Sequence, residues 1–409
     1  MTALTARVGG IRWTHPKTIG VYGILLGALA FWLALPPLAA RTQVLPLAIG
    51  ILAVAAGIWA WSRDERRAGG GAIAAGILGL VFGVLATRSS SAHLNEVVVW
   101  SALGAATLRY ATPLTYAAIG GLYCERSGVI NVALEGMLLT GAFFGLWGVD
   151  LSHNWAGSAA WLVGLGLAAL AGMALASIHA VWAIHLKVDQ IISGTALNFL
   201  ALGITGYLFI DNYGDSGTPG NISSYSIPDI HIAFMDHWYF IGPIIGQMNL
   251  MIWLSFVLLI ATYLIVFRTP FGLRLRAVGE HPRAADTVGI SVYKTRYVAV
   301  IASGAIAAMG GAYLSIGFVH SFNEGMTNGT GFIGLAALVF GKWKPFNAWG
   351  AALLFGFSSA LADRLPTAYG NQWGTLFQAL PYLLTLIAVA GVIGRSIGPA
   401  AAGRPYVKQ

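Results

Sequence analysis

Long apolar runs alternate with short polar stretches along this chain. A helix needs roughly 17 to 20 residues to cross about 30 Å of hydrocarbon. Eleven runs meet or nearly meet that length: 18–35, 44–61, 71–87, 98–122, 130–149, 158–184, 189–210, 249–267, 296–319, 346–362 and 377–393. The pattern therefore predicts an all-α integral membrane protein.

A twelfth run, 331–341, is too short to cross a membrane alone. At 1.5 Å per residue it covers only about 16 Å. The polar stretch before it, 323–331, must either extend the helix or enter the membrane as irregular backbone, which is tolerated only inside a bundle or along a cavity. Counting this run as a crossing predicts about twelve transmembrane helices.

The basic residues separate between the two sides that twelve spans define. With both termini cytoplasmic, the inside loops hold nineteen of the 23 Lys and Arg residues. The outside loops hold only Arg41, Arg88 and Arg364, and Arg109 lies within a span. Because cytoplasmic loops are enriched in Lys and Arg, this separation supports both the count and the orientation.

Composition agrees with a membrane protein. Hydrophobic residues make up 57% of the chain and charged residues 9%, against about 25% charged residues in soluble domains. The formal charge of +8 comes from short loops, where topology and anionic lipid explain it, so no nucleic-acid partner is expected. One cysteine, Cys124, excludes an internal disulfide and a Cys-rich metal site.

The sequence lacks the common motifs for chemistry. A phosphate-binding P-loop needs a glycine five positions before Gly341 and Ser or Thr after Lys342, but those positions hold Ala336 and Trp343. The histidines show no metal-ligand spacing, and no nucleophile motif or pair of carboxylates appears. Few charged residues lie inside the predicted spans, which is sparse for an ion-driven carrier. We expect no catalytic or metal site and an energy source outside this chain.

The chain divides into three predicted parts. Residues 1–95 form a block of three spans, bounded by the charged sequence 63–67 and the polar sequence 88–96. We interpret this block as an accessory to a core at 96–395, which holds about nine helices, some of them broken. Residues 396–409 form a cytoplasmic tail.

Polar residues of the core are concentrated at two places. Asn131 and Glu135 are four residues apart and share a helix face. Either they face the bundle interior as functional groups, or Glu135 lies near the interface and is satisfied by Arg126 or by backbone N–H groups. In the second cluster, Ser193 is typical of helix packing, whereas Asn198 fits either role.

The two halves of the core contain a short repeat. The sequence GVINVA at 128–133 matches GFIGLA at 331–336 in character at five of six positions. Under the twelve-span topology the two stretches run in opposite directions, as an inverted repeat requires. Both would be helix starts that follow broken backbone, and their N-terminal N–H groups would line a central route.

A polar segment, 268–296, lies between two apolar runs and holds six of the 23 basic residues. Within it, Glu280 to Ile290 has the pattern of one short helix. Pro282 suits the first helical turn, and Gly289 suits a C-terminal cap. A basic, structured cytoplasmic loop of this size predicts a docking site for another protein.

Three stretches carry a resemblance to a known family: GLYCERSGVINVALEGMLLTGAFFG (121–145), TPFGLRLRAVGEHPRAADTVGI (269–290) and GFIGLAALVFGKWKPFNAWGAALLFG (331–356). Together they resemble the permease subunits of bacterial ATP-binding-cassette (ABC) importers for nucleosides and simple sugars, in the branched-chain amino-acid and ribose-type permease superfamily. The resemblance covers about residues 97–395 and is greatest to the nucleoside branch. It implies a type II importer fold in the bacterial plasma membrane.

The resemblance also implies partners. Such a permease pairs with a second permease, identical or different, and with ATPase subunits that bind ATP on the cytoplasmic face. A substrate-binding protein or lipoprotein docks outside, where the loop 211–248 would help to receive it. No cofactor is expected in this chain. The alternatives are a branched-chain amino-acid permease of the same class and an ion-coupled secondary carrier.

Site residues follow from the same resemblance. The coupling helix that inserts into the ATPase would comprise Glu280, His281, Pro282, Arg283, Ala284, Ala285, Asp286, Gly289 and Ile290. Candidates along the translocation pathway are Asn131, Glu135, Thr195, Asn198 and Phe332. The chain departs from the family at His281, where relatives commonly have Asn, and in the length of the block 1–95.

Overall fold

The structure is a computed structural model that describes residues 15–34, 44–88, 100–214, 217–235, 237–238, 242–369, 378–379, 381 and 397–408. Helix dominates these residues. Five helical segments are long and apolar enough to cross a membrane: Val44–Ser62, Leu134–His185, Gln190–Tyr213, Leu250–Arg268 and Val292–Val319. The prediction of an all-α membrane protein is confirmed, whereas the predicted span 377–393 lies almost wholly outside the described residues.

The described residues fall into two compact units. The first unit contains α1 (Pro16–Ala34), α2 (Val44–Ser62) and α3 (Arg66–Arg88), which lie where the first three apolar runs predict helices. These helices pack through small side chains, which let helix backbones approach closely in lipid. The fully buried ones are Ala30, Ala53, Ala60 and Ala72.

The second unit comprises residues 101–361 and 395–409. Its long helices are α4 (Trp100–Arg126), α5 (Leu134–Ala156), α6 (Ala160–Ala180), α7 (Gln190–Tyr213), α9 (Leu250–Arg268), α12 (Val292–Ala312) and α14 (Pro345–Tyr369), whose last turns from Ala362 belong to the first unit. Two of these helices, α6 and α12, continue as π-helical turns at Val181–His185 and Tyr313–Val319. A short helix, α13 (Thr330–Phe340), lies between α12 and α14.

Helix α12 packs closely on α5 and α6 at the centre of the second unit. Gly311 lies so near the carbonyl of Leu138 that a Cβ would collide with it, and Gly304 meets the carbonyl of Gly172 in the same way. Larger side chains at these positions would separate the helices. The glycine-rich sequence of α12 is therefore a packing feature.

Two segments of the core leave helical geometry before a helix begins. The first, 127–133, joins α4 to α5, so α5 begins at Leu134 and not at the predicted residue 130. The second, 320–329, is a series of turns that ends at Gly329, whose φ of 82° is left-handed. Of the two alternatives for the polar stretch 323–331, the structure shows irregular backbone as far as Gly329.

The long loop between α7 and α9 contains the described strands. After 3-10 turns at Gly220–Tyr225 and Ala233–Met235 and a short helix α8 (Gly242–Ile245), β2 (Gln247–Asn249) pairs antiparallel with β1 (Asp229–His231). The Asn249 side chain then caps α9 by accepting a hydrogen bond from Met251 N at 3.0 Å.

The segment after α9 forms two helices, α10 (Pro270–Glu280) and α11 (Pro282–Thr287). The single helix predicted from Glu280 to Ile290 is thus shorter. His281 leaves the helical region, with φ −138° and ψ 78°, because helical geometry is disfavoured for a residue before proline. Glu280 therefore ends α10, and Pro282 begins α11.

Candidate functional site

Irregular backbone at 129–133 is hydrogen-bonded by side chains from two other helices. Ile130 N donates to Gln190 Oε1 at 2.6 Å, and a ring nitrogen of His179 lies 3.0 Å from Ile130 O. Asn198 Nδ2 donates to Val132 O at 3.0 Å. Because unpaired backbone groups are costly away from water, these side chains make the break possible.

Asn131 holds the same segment against α12. Its side chain is fully buried, and its Nδ2 donates to Ser303 Oγ at 2.9 Å. Its Oδ1 accepts a hydrogen bond from Ala133 N at 3.1 Å. The amide therefore has partners within the bundle and is not accessible to a solute in this conformation.

Asn198 serves the start of α5 as well as the break. Its Oδ1 accepts a hydrogen bond from Gly136 N at 2.8 Å. This N–H belongs to the first turn of α5, where backbone N–H groups have no partner inside the helix. Asn198 thus joins α7 to both sides of the helix start.

Glu135 links the start of α5 to the start of α13. Its Oε1 accepts hydrogen bonds from Thr327 Oγ1 at 2.7 Å and Gly329 N at 2.8 Å, and its Oε2 accepts one from Gly331 N at 2.6 Å. A carboxylate at a helix N-terminus satisfies free N–H groups and the helix dipole. We call this set of bonds the Glu135 clasp.

The Glu135 clasp requires a very close approach of the two helices. A Cβ at Gly331 would lie 2.5 Å from the Cα of Glu135, so only glycine fits there. Of the partners considered for Glu135, backbone N–H groups provide two of the three hydrogen bonds. Arg126 instead donates to Trp343 O, at 2.7 Å from Nη2.

The remaining pathway candidates lie on the surface of the subunit. Thr195 is exposed on α7 and donates its hydroxyl hydrogen bond to Ile191 O at 2.8 Å. Phe332 is 47% exposed on the first turn of α13. The five candidates are therefore divided between an internal polar network and the outer surface, and their role in translocation stays a prediction.

The sequence reasoning missed three members of the internal network: His179, Gln190 and Ser303. His179 is buried within a predicted span, and a histidine inside a span is itself a signal of a polar partner. Gln190 is the first residue of α7, and serine is common in α-helical spans. Nothing in the sequence marks Gln190 and Ser303 as members of the network, because their hydrogen-bond partners lie more than 50 positions away.

The three stretches 121–145, 269–290 and 331–356 meet at one end of the bundle. Trp343 Nε1 donates to Glu125 Oε2 at 2.5 Å, joining the first stretch to the third. Gly279 of the second stretch lies against the carbonyl of Arg126, so closely that a Cβ would collide with it. We call this meeting point the cytoplasmic junction, following the predicted orientation.

Helix α11 projects from the cytoplasmic junction. Its C-terminus is closed by hydrogen bonds from Gly289 N to Asp286 O and from Ile290 N to Ala285 O, both at 3.0 Å. This Schellman pattern needs a left-handed residue, and Gly289 has a φ of 84°. Pro282 and Gly289 occupy the positions that the sequence predicts.

The two faces of α11 have different surroundings. Ala285 is 3% exposed and packs in a cluster with Val278, Val292 and Tyr406. The exposed residues are His281, Arg283, Ala284, Thr287, Val288 and Gly289. A helix buried on one side and exposed on the other can bind a partner without losing its own support.

Comparisons with known proteins identify relatives over most of the chain. Residues 103–389 match a family described as the permease component of the branched-chain amino acid transport system. The chain is 41% identical over 321 residues to the guanosine ABC transporter permease protein NupQ of Bacillus subtilis (strain 168), covering 77% of this chain and 99% of NupQ. It is 35% identical over 326 residues to the nucleoside ABC transporter permease protein NupC of Lactococcus lactis subsp. cremoris (strain MG1363), again covering 77% and 99%.

A second Bacillus subtilis (strain 168) protein is a more distant relative. The guanosine ABC transporter permease protein NupP is 26% identical over 305 residues, covering 73% of this chain and 85% of NupP. No solved structure matches the chain.

Proposed function

Because this chain belongs to the family of branched-chain amino acid transport system permease components, we propose that it is the permease subunit of an ABC importer for nucleosides. The main support for nucleosides as the substrate is the similarity to NupQ and NupC over 99% of their lengths. A branched-chain amino acid is the competing substrate, since the family description names it. The two permeases named for guanosine and nucleosides favour the first.

ATP binding and hydrolysis belong to a separate ATPase subunit. This proposal is supported by the missing P-loop at Gly341–Lys342 and by the shape of α11, whose exposed face is free to enter a groove. The chain is then a transport subunit and not an enzyme. ATP drives transport by favouring one of two bundle states, which requires that the ATPase bind α11 differently in the two states.

A second, different permease completes the membrane part. Bacillus subtilis (strain 168) has two guanosine ABC transporter permease proteins, NupQ and NupP, and this chain resembles both, at 41% and 26% identity. We place this chain in the position of NupQ, beside a partner of the NupP type. A substrate-binding protein or lipoprotein would dock outside, against the loop that contains β1 and β2.

The chain crosses the plasma membrane twelve times, with both termini in the cytoplasm. The distribution of basic residues supports this topology. The block 1–95 is an accessory to the core 96–395, because the family match begins only at residue 103. An inverted repeat also belongs to this proposal, but its two stretches differ in structure: 128–133 is irregular backbone before α5, whereas 331–336 lies in the first turns of α13.

The translocation pathway runs along the exposed faces of α7 and the first turn of α13. Thr195 and Phe332 are the pathway candidates on these faces. The other three candidates lie inside the bundle and hold the starts of α5 and α13 in place: Asn131, Glu135 and Asn198. They influence the pathway through these helix starts and do not contact the solute in this conformation.

Uptake by cells tests the proposal. A strain lacking the gene is expected to lose uptake of labelled guanosine or another nucleoside and to keep uptake of labelled leucine. Wild-type chain restores uptake, and so does Lys17→Gln, a control outside the proposed pathway and docking surfaces, because Lys17 is exposed in the first turn of α1. Loss of leucine uptake with normal nucleoside uptake would reject nucleosides and favour the competing substrate.

A further inference from the structure

The C-terminal segment, residues 397–408, crosses the cytoplasmic junction from one side to the other. At its start, Gly398 lies on the ring of Trp343, where a Cβ would be 3.0 Å from the indole. In its middle, Gly403 has a φ of 75° and lies against Ile130, with a Cβ position 3.0 Å from Ile130 Cδ1. The segment thus contacts both the turn after α13, which contains Trp343, and the break at 127–133.

Two consecutive N–H groups of this segment bind the end of α10. Ala401 N donates to Gly279 O at 2.9 Å, and Ala400 N donates to Glu280 Oε2 at 3.1 Å. The last carbonyl groups of a helix lack partners inside it. The C-terminal segment supplies such a partner at the point where α10 passes into α11.

Tyr406 binds the buried face of α11. It is 6% exposed and packs with Val278, Ala285 and Val292, and its ring meets that of Tyr293 edge-on at 5.6 Å between centroids. The ring of Tyr406 therefore packs directly against α11.

Arg296 joins the segment to the break. Its side chain is 1% exposed, its Nε donates to Ser127 O at 3.2 Å, and its Nη1 donates to Arg404 O at 3.3 Å. One guanidinium therefore ties the start of α12, the segment 127–133 and the C-terminal segment together. The break in turn holds α5, whose Glu135 forms the clasp with α13.

We propose that residues 397–408 are a positioning element of the ATPase docking surface. The segment holds α10 and α11 against the break at 127–133, so that a displacement of α11 by a docked ATPase reaches the starts of α5 and α13. This inference rests on the proposed function, because it assigns α11 to the ATPase. Its structural part, the support of α11 by Tyr406 and Ala400, holds for the isolated chain.

Hydrogen exchange on the purified chain tests the structural part without a partner. Tyr406→Ala is expected to speed exchange of amides 283–290 on the order of 10- to 100-fold, because a buried aromatic ring is lost from beneath α11. Tyr406→Phe keeps the ring and is expected to retain most of the protection. Val407→Ala is the matched control, since Val407 is 53% exposed. Equal exchange in Tyr406→Ala and wild type overturns the proposal.

A milder variant covers the case in which Tyr406→Ala fails to fold. Ala400 is the second residue of a turn closed by Ala402 N and Pro399 O at 3.0 Å, a position that accepts proline. Ala400→Pro removes only the N–H that binds Glu280. We expect faster exchange at residues 279–283, about 3-fold or more, and unchanged exchange there overturns the proposal.

Transport per ATP hydrolysed tests the coupling part in the reconstituted complex. Tyr406→Ala and Ala400→Pro are expected to lower this ratio about 5-fold while the ATPase still copurifies with the chain. An unchanged ratio in variants with faster exchange overturns the coupling role. If wild type shows no ATP-dependent transport, the proposed function fails, and the exchange result still decides the structural part.

Discussion

Replacing Glu135 with Gln tests the Glu135 clasp with the smallest change in shape. The carboxylate accepts three hydrogen bonds, two of them from the backbone before and at the start of α13. A carboxamide keeps one acceptor oxygen and puts an NH₂ group in place of the other, so at least one N–H loses its acceptor. An unsatisfied buried donor costs about 1–3 kcal/mol.

The lost charge adds to that cost. A negative charge at a helix N-terminus contributes about 0.3–1 kcal/mol, and up to about 2 kcal/mol when partly buried. The clasp is thus expected to weaken by about 1–5 kcal/mol in Glu135→Gln. Since α13 is only 11 residues long, its start has few other bonds to hold it.

Limited proteolysis and thermal unfolding of the purified chain in nanodiscs measure this loss. Glu135→Gln is expected to unfold at a lower temperature and to be cleaved faster within 320–331. Asp211→Asn is the control, because a substitution at this exposed position changes stability by at most about 0.5 kcal/mol. Wild-type stability and wild-type cleavage of Glu135→Gln would refute the clasp.

Three further predictions concern α11, Gly331 and Tyr406. Ala284→Glu on the exposed face of α11 is expected to fold normally and to lose ATPase copurification. Ala285→Glu instead buries a charge, so it is expected to lower the yield of folded chain. Equal yields of the two variants would contradict this prediction. Gly331→Val should cost at least about 1–3 kcal/mol by overpacking against Glu135, measured by thermal unfolding, and a neutral result would contradict the close approach. Burial, and after it the neighbouring carboxylate of Asp286, raise the pKa of Tyr406, so the neutral side chain is favoured in the folded state. Support of α11 should therefore be constant below about pH 10 and fall as the pH rises further. The measurement is the protection factor of amides 283–290, which corrects for the base-catalysed rise in intrinsic exchange, and Tyr406→Phe should abolish its fall.

Local patterns predicted the described helices well because span length and capping are local properties. The apolar runs located α1 to α3 and the long helices of the core, and Pro282 and Gly289 marked the two ends of α11. Errors arose at helix starts. Residues 130–133 are apolar enough for a span, yet their backbone bonds to Gln190 and Asn198 instead of forming a helical turn.

The contacts that define the site are long-range, and periodicity does not encode them. Glu135 and Gly331 are 196 positions apart. Neither residue has a sequence feature that identifies the other as its hydrogen-bond partner. The repeated stretches 128–133 and 331–336 lie beside the two helix starts that Glu135 joins, but the repeat did not predict that a side chain of one helix start caps the other. The contacts of Tyr406 with Ala285 and of Ala400 with Glu280 could not be predicted either. The tail 396–409 has no periodic pattern or motif that indicates where it packs.

The family assignment from three short stretches is confirmed by the matches over residues 103–389 and to NupQ and NupC. The stretches that carry it are also the ones that meet at the cytoplasmic junction. Their spatial proximity gives a physical reason for their joint occurrence, since each supplies contacts that the others need.

Uptake of labelled guanosine into proteoliposomes tests the central claim most directly. The vesicles contain this chain, a second permease of the NupP type and the ATPase, with the substrate-binding protein outside. We predict uptake that requires ATP and the ATPase and that is lost in Ala284→Glu but kept in Lys17→Gln. Guanosine uptake by this chain alone, driven by an ion gradient and indifferent to ATP, would contradict the account.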